Sequence, residues 1–85
     1  MTSEDIRKLM RAEPFQPFRI HTLGGKRLDV PHPDFIYIPP KNPRTVYVSD
    51  AEGHVDIINV TVIARVTYLD DPRESSNGTE DVGAA

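Results

Sequence analysis

The sequence predicts a mainly β domain of the α+β class, with one short N-terminal helix followed by a bent antiparallel sheet of five or six strands or a small barrel. Three observations carry this expectation. The run Pro14-Phe15-Gln16-Pro17-Phe18-Arg19-Ile20 ends any helix begun upstream and leads into alternating apolar and polar residues. From Phe18 onward, apolar residues recur at period two in short runs. Only a few turn residues separate one run from the next, too few for the crossovers that parallel strands need.

The helix comes first. Ser3 or Thr2 can cap it, Glu4 and Asp5 suit its first turn, and Ile6, Leu9 and Met10 make one apolar stripe. Glu4 and Lys8 stand four apart with the acid first, the better order for a helical ion pair. Pro14 pushes Glu13 out of helical geometry, so the helix ends near Arg11 or Ala12. A helix this short does not persist alone, and its stripe must dock, most simply on the end of the sheet.

Phe18, Ile20 and Thr22 alternate with Arg19, His21 and Leu23 as in a strand with one buried face. Leu28 and Val30 resume the pattern beyond Gly24-Gly25. A two-residue Gly-Gly loop would pair Ile20 with Asp29 and set a carboxylate on the apolar face. A three-residue loop with a left-handed glycine pairs Ile20 with Leu28 or Val30, so a bulged hairpin is expected.

Pro31-His32-Pro33 interrupts this ladder, because neither proline can donate to it. Phe35-Ile36-Tyr37-Ile38 reads as a third strand stopped by Pro39-Pro40, and Thr45-Val46-Tyr47-Val48 as a fourth. Ser49 to Gly53 turns the chain, His54 to Ile58 returns, and Val62 to Leu69 supplies the last strand, with Val62, Ala64, Val66 and Tyr68 on one face. The expected core comprises Phe15, Phe18, Ile20, Leu28, Val30, Phe35, Val46, Val48, Val55, Ile57, Ile63 and Val66.

Charge divides the 85 residues in two. Residues 1–69 carry nine Lys and Arg against eight Asp and Glu, a net charge of +1. Residues 70–85 carry Arg73 against Asp70, Asp71, Glu74, Glu80 and Asp81, a net charge of −4. This last segment lacks periodicity and is expected to be a disordered acidic tail on a single domain spanning 1–69. The overall charge of −3 therefore describes the tail, and does not exclude an anionic partner for the domain. There is no cysteine, which removes disulfides, thiolate nucleophiles and thiolate metal sites. No apolar run is long enough for a signal peptide or a membrane span, so the expected compartment is the cytoplasm and no membrane partner is expected.

The helix Ile6-Arg7-Lys8-Leu9-Met10-Arg11, the Pro14 to Ile20 segment, the glycine turn and Val30-Pro31-His32-Pro33-Asp34 together resemble a group of short uncharacterised bacterial proteins. Those proteins open with a helix and a Pro-Phe-x-Pro-Phe segment and carry His-Pro-Asp or His-Pro-Glu after the second strand. The resemblance covers residues 4 to about 69 and implies no activity. In element order the chain is also similar to the Sm-like fold, where a short helix precedes five bent antiparallel strands and a tight turn, here near Ile58 to Thr61, joins the last two. That likeness implies a ring of protomers binding single-stranded RNA. Where bacterial RNA chaperones of that fold carry a Lys-His pair, this chain has Asp56-Ile57-Ile58-Asn59, which weighs against RNA.

No constellation of catalytic residues stands out. A metal or general-base role for His21, His32 or His54 needs two of them, or one with Asp29, Asp34 or Asp56, to converge, and no ligand spacing supports this. His32 between two prolines reads as part of a rigid turn, bonded to a neighbouring backbone group or to Asp34. Gly24-Gly25 leads into no helix and is a turn rather than a phosphate loop. Arg19 and Arg27 could share an outward face able to meet phosphates, and Tyr37 and Tyr47 read as cross-strand partners.

The expected function is a small non-catalytic binding module of the Sm or SH3 type, for a protein partner or for another copy of itself, and the chain is not expected to be an enzyme. Two features lead there. Edge strands of a small sheet can pair with another chain, and so small a body gains stability by doing so. The partner surface is drawn from Arg19, His21, Arg27, His32 and Asp34, with no catalytic, metal-binding or cofactor-binding residue. A single-stranded RNA-binding protein is the alternative, and a metal-dependent hydrolase using His32 and Asp34 a distant third.

Overall fold

A computed structural model of the chain describes residues 1–69, and the expected acidic tail at 70–85 lies outside the described residues. Helix α1 (Ser3–Met10) begins at Thr2, whose side chain accepts from the Asp5 N–H while the Asp5 carboxylate accepts from the Thr2 N–H. These reciprocal bonds satisfy donors that every helix start leaves open. Arg11 closes the helix, Ile6 is wholly buried, and Leu9 and Met10 rest against the core. No helix among the described residues is long and apolar enough to cross a membrane.

Six strands follow: β1 (Phe18–Thr22), β2 (Arg27–Val30), β3 (Ile36–Tyr37), β4 (Thr45–Ser49), β5 (Val55–Asn59) and β6 (Ile63–Tyr68). They form two antiparallel three-stranded sheets, ordered β2-β1-β6 and β3-β4-β5. The single bent sheet expected from the sequence is thus divided, and the strands do not close into a barrel. The division falls at Pro31-His32-Pro33. There the chain makes a 3₁₀ turn at Pro33–Phe35, capped by His32, instead of continuing the β2 ladder into β3. This turn also takes Phe35 out of the third strand, which extends over two residues.

Two hairpins use one loop chemistry. Between β1 and β2, Leu23, Gly24 and Gly25 form a three-residue loop with Gly25 at φ 92°, and Ile20 faces Leu28. Between β4 and β5, Ala51, Glu52 and Gly53 do the same with Gly53 at φ 90°. Both glycines lie in the left-handed region that side chains disfavour. Each loop is also tied by the side chain that precedes it: Thr22 Oγ1 accepts from the Lys26 N–H at 2.9 Å, and Asp50 Oδ1 from the His54 N–H at 2.8 Å.

The core consists of Ile6, Phe18, Ile20, Leu28, Val30, Ile36, Ile38, Val46, Val48, Val60 and Ile63, with Phe15, Phe35 and Val66 half-buried against it. Two expected core residues are corrected. Val55 is 55% and Ile57 62% exposed. Val46 and Val48 point inward and pair with Ile58 and Asp56, which places Ile58 and Asp56 on the inner face and turns Val55 and Ile57 outward. On β6, a register shift opposite His21 and Thr22 pairs Thr22 with Ile63 and His21 with Arg65, leaving Ala64 as the extra residue. Without that bulge Ala64 would sit where Ile63 does, so the bulge brings both Ile63 and Val66 to the core face.

Candidate binding surfaces

The outer face of the β1 sheet carries three of the five residues expected to meet a partner. In cross-strand register, Arg27, His21 and Arg65 form one row across β2, β1 and β6, and Asp29, Arg19 and Thr67 form the next. Arg19 chelates Asp29 through Nε to Oδ1 at 2.6 Å and Nη2 to Oδ2 at 3.3 Å. His21 Nε2 lies 2.9 Å from Thr67 Oγ1. Among the described residues the two rows thus bring together Arg19, His21, Arg27 and Arg65 with Asp29 and Thr67. Arg65 is the member that sequence reasoning missed. The strand alternation placed it opposite Val66, but only pairing with β1 sets it beside His21.

His32 and Asp34 do not join that face. They stand on the 3₁₀ turn beyond β2, where His32 Nδ1 accepts from the Asp34 N–H at 3.1 Å and its ring lies 6.5 Å from that of Phe15. The Asp34 carboxylate is 3.5 Å from the same nitrogen, and both side chains are exposed. His32 is therefore the cap of a turn. No third histidine or acidic residue among the described residues joins the two as a ligand set.

The outer face of the β4 sheet is different in character. Tyr37 on β3 pairs with Tyr47 on β4, and Tyr47 pairs with Ile57 on β5, so the three make one row across the sheet. The tyrosine rings are tilted with centroids 6.2 Å apart. Tyr37 is 57% exposed, and Val55 continues the apolar surface beside Ile57. The row ends at β5, which pairs only with β4 among the described residues. Asp50 N–H bonds the His54 carbonyl at one end of that pairing and Val60 N–H the Arg44 carbonyl at the other. Alternation between them turns the N–H and C=O groups of Val55, Ile57 and Asn59 away from β4, without a strand partner among the described residues.

A groove of about 610 Å³ opens between β2 and the β4–β5 hairpin, with Leu28, Phe35 and Val48 among the apolar residues lining it and Lys26, Asp50, His54 and Asp56 among the polar ones. Lys26 Nζ reaches Asp56 Oδ1 at 2.7 Å. Asp50, Glu52 and His54 bring their ligand atoms within 4.8 Å of one another, but all three are exposed and Asp50 is occupied in holding its turn. Its Oδ1 accepts from the His54 and Glu52 N–H groups, and His54 Nδ1 is 3.3 Å from Oδ2.

The bond from the His54 N–H, more than any other contact, holds the Asp50 carboxyl below its ordinary value of 3.8, against the opposing effect of desolvation. Asp5 is lowered likewise, first by the Thr2 N–H and then by the Thr2 hydroxyl. A carboxyl with a depressed folded-state pKa adds stability above its unfolded value, and that contribution disappears as pH falls through the folded value. Thermal melts between about pH 5 and pH 2 are thus expected to show a falling midpoint. The midpoint of the double variant Asp5→Asn/Asp50→Asn should fall less; an equal fall would assign acid sensitivity to other groups.

Compared with protein-family models, with curated proteins and with solved structures, the chain has no match.

Proposed function

We propose that this chain is a non-catalytic interaction module that associates with a second copy of itself through the edge of β5. The observation that carries the reading is the contrast between β5 and the other three edge strands. Natural sheets guard their edges with charge, proline, bulges or shortness. β2 carries Arg27 and Asp29 and runs into Pro31, β3 is two residues long, and β6 has Arg65 and a bulge. β5, Val55-Asp56-Ile57-Ile58-Asn59, has none of these on its outer face. Its one charge points inward to Lys26.

Two β5 strands related by a two-fold axis at Ile57 would pair Ile57 with its own copy and Val55 with Asn59, since these are the residues whose backbone groups face outward. Such pairing joins the two β4 sheets into one of six strands. It also makes the Tyr37, Tyr47 and Ile57 rows continuous and covers Ile57 and Val55. The reading of the fold as an opened Sm or SH3 type is supported by its element order: a leading helix, a meander, a tight turn at Val60–Val62, and a last strand returning to β1.

Light scattering on a sizing column at tens of micromolar tests the proposal. A mass of twice the 9.5 kDa chain is expected. A mass of one chain at every accessible concentration would overturn it.

Single-stranded RNA binding is the second reading, favoured by the Arg27, His21 and Arg65 row. It requires affinity to fall steeply with salt and Arg27→Ala to weaken binding without unfolding the chain.

A further inference from the structure

We infer that the groove between β2 and the β4–β5 hairpin is a second binding site, which takes an extended peptide segment of a partner protein as a further strand beside β2, with an apolar residue and a Lys or Arg two positions apart. The site uses β2 rather than the β5 edge, so it does not depend on self-association.

The lining shows how the groove runs. Leu28 and Asp29 are consecutive and turn to opposite faces of their sheet, yet both line it, together with Lys26 and Pro31. A cleft that touches both parities of one strand follows the edge of that strand and not a face. β2 pairs only with β1 among the described residues, and the Thr22 N–H donates to the Lys26 carbonyl. Alternation from that bond directs the backbone groups of Leu28 and Val30 to β1, and the Asp29 N–H and C=O away from it toward the groove. A residue placed opposite Asp29 in antiparallel register can exchange both backbone bonds with it. Pro31 limits this edge to a short segment, and the wall opposite makes it selective.

That wall is the inner face of the hairpin, where Val48, Asp50, His54 and Asp56 share one parity. Val48 with Phe35 and Leu28 supplies its apolar part. Asp56 is matched by Lys26, which reaches it from the β2 side at 2.7 Å. Asp50 is matched differently: among the described residues its partners are the Glu52 and His54 N–H groups and the His54 ring, and Glu52 brings a second carboxylate within 4.8 Å. Alternate side chains of an added strand face this wall at a spacing of roughly 7 Å. One can therefore rest on the apolar part while the next carries a positive charge to Asp50 and Glu52. The groove volume of about 610 Å³ falls within the range of about 300–1,000 Å³ that ligand sites occupy.

Titration of the isotope-labelled full-length chain with the capped peptide Ser-Val-Thr-Lys-Thr-Val-Ser tests this, because its valines and lysine share one face of a strand and its threonines the other. Saturable amide shifts at low-millimolar peptide are expected at Lys26, Leu28, Asp29, Val48 and Asp50, and none at Tyr37, Ile57 or Asn59. Glutamate in place of the peptide lysine, and Glu52→Lys in the protein, should each weaken binding at least about fivefold. Glu52 is exposed in its turn, so this variant keeps the fold. N-methylation of both threonines, which removes the donors aimed at Asp29, should abolish binding. The absence of a saturable shift, shifts centred on Val55, Ile57 and Asn59, equal affinity for the lysine and glutamate peptides, or undiminished binding of the N-methylated one would overturn the inference.

Discussion

Phe18→Ala is expected to remove most of the protein's stability at 25 °C. Phe18 is the largest wholly buried side chain, and it stands where three parts of the fold meet. It pairs with Val30 on β2 and Tyr68 on β6, and its ring meets that of Phe15 with centroids 5.8 Å apart. Truncating a buried phenylalanine costs about 3–5 kcal/mol through lost transfer energy and the cavity left behind. Domains are stable by about 5–15 kcal/mol, and one this small belongs near the lower limit. The cost is then comparable with the whole stability. Urea titration followed by circular dichroism is expected to show little or no folded baseline for Phe18→Ala. Phe15→Ala, at a half-buried position, should retain a clear transition. A loss below about 1 kcal/mol for Phe18→Ala would mean that the core is not organised around this ring.

Ile57→Asp is expected to abolish self-association and to leave the fold intact. Ile57 is 62% exposed, so truncating or charging it removes little from the core, and surface changes of this kind stay within about 0.5 kcal/mol. Across the proposed two-fold axis, however, the two introduced carboxylates would face each other while the apolar contact between the copies vanished. Like charges brought together in this way cost several kcal/mol, and each 1.4 kcal/mol weakens association about tenfold. Dimer association should therefore weaken at least about a hundredfold, with a urea midpoint for unfolding of the monomer close to that of the parent. A variant that stayed dimeric would place the interface elsewhere, whereas one that failed to fold would mean that Ile57 belongs to the core after all. Val55→Lys, on the same face and strand, separates these cases, because it too should dissociate the pair without unfolding it.

How far the sequence carried this account depends on which contacts set each element. Local chemistry was legible. Pro14 ended the helix, Thr2 capped it, and the need to keep Asp29 off the apolar face selected the three-residue loop that pairs Ile20 with Leu28. Register set by distant strands was not. Val55-Asp56-Ile57-Ile58 carries apolar residues at both parities, so alternation alone does not decide which face turns inward. Val46 and Val48 decide it by pairing with Ile58 and Asp56. The bulge at Ala64 is invisible for the same reason, since it arises only where β6 meets β1.

The candidate surfaces follow this pattern. Arg19, His21 and Arg27 were grouped by the period of one hairpin, and the structure adds Arg65 from β6, a strand distant from that hairpin in sequence. His32 and Asp34 were linked to each other by adjacency, and their link is a turn cap. The apolar row of Tyr37, Tyr47 and Ile57 became apparent only once Ile57 was placed outside, and it directs attention from the basic face to the β5 edge.

Amide hydrogen exchange of β5 as a function of protein concentration tests the central claim most directly. The N–H groups of Val55, Ile57 and Asn59 have no strand partner among the described residues, whereas those of Asp56 and Ile58 face β4. If two copies pair through β5, the amides of Val55, Ile57 and Asn59 become protected as concentration rises through the dissociation constant, while those of Asp56 and Ile58 are protected throughout. Exchange at Val55, Ile57 and Asn59 that stays fast and independent of concentration, in a sample whose mass is that of a dimer, would contradict the account.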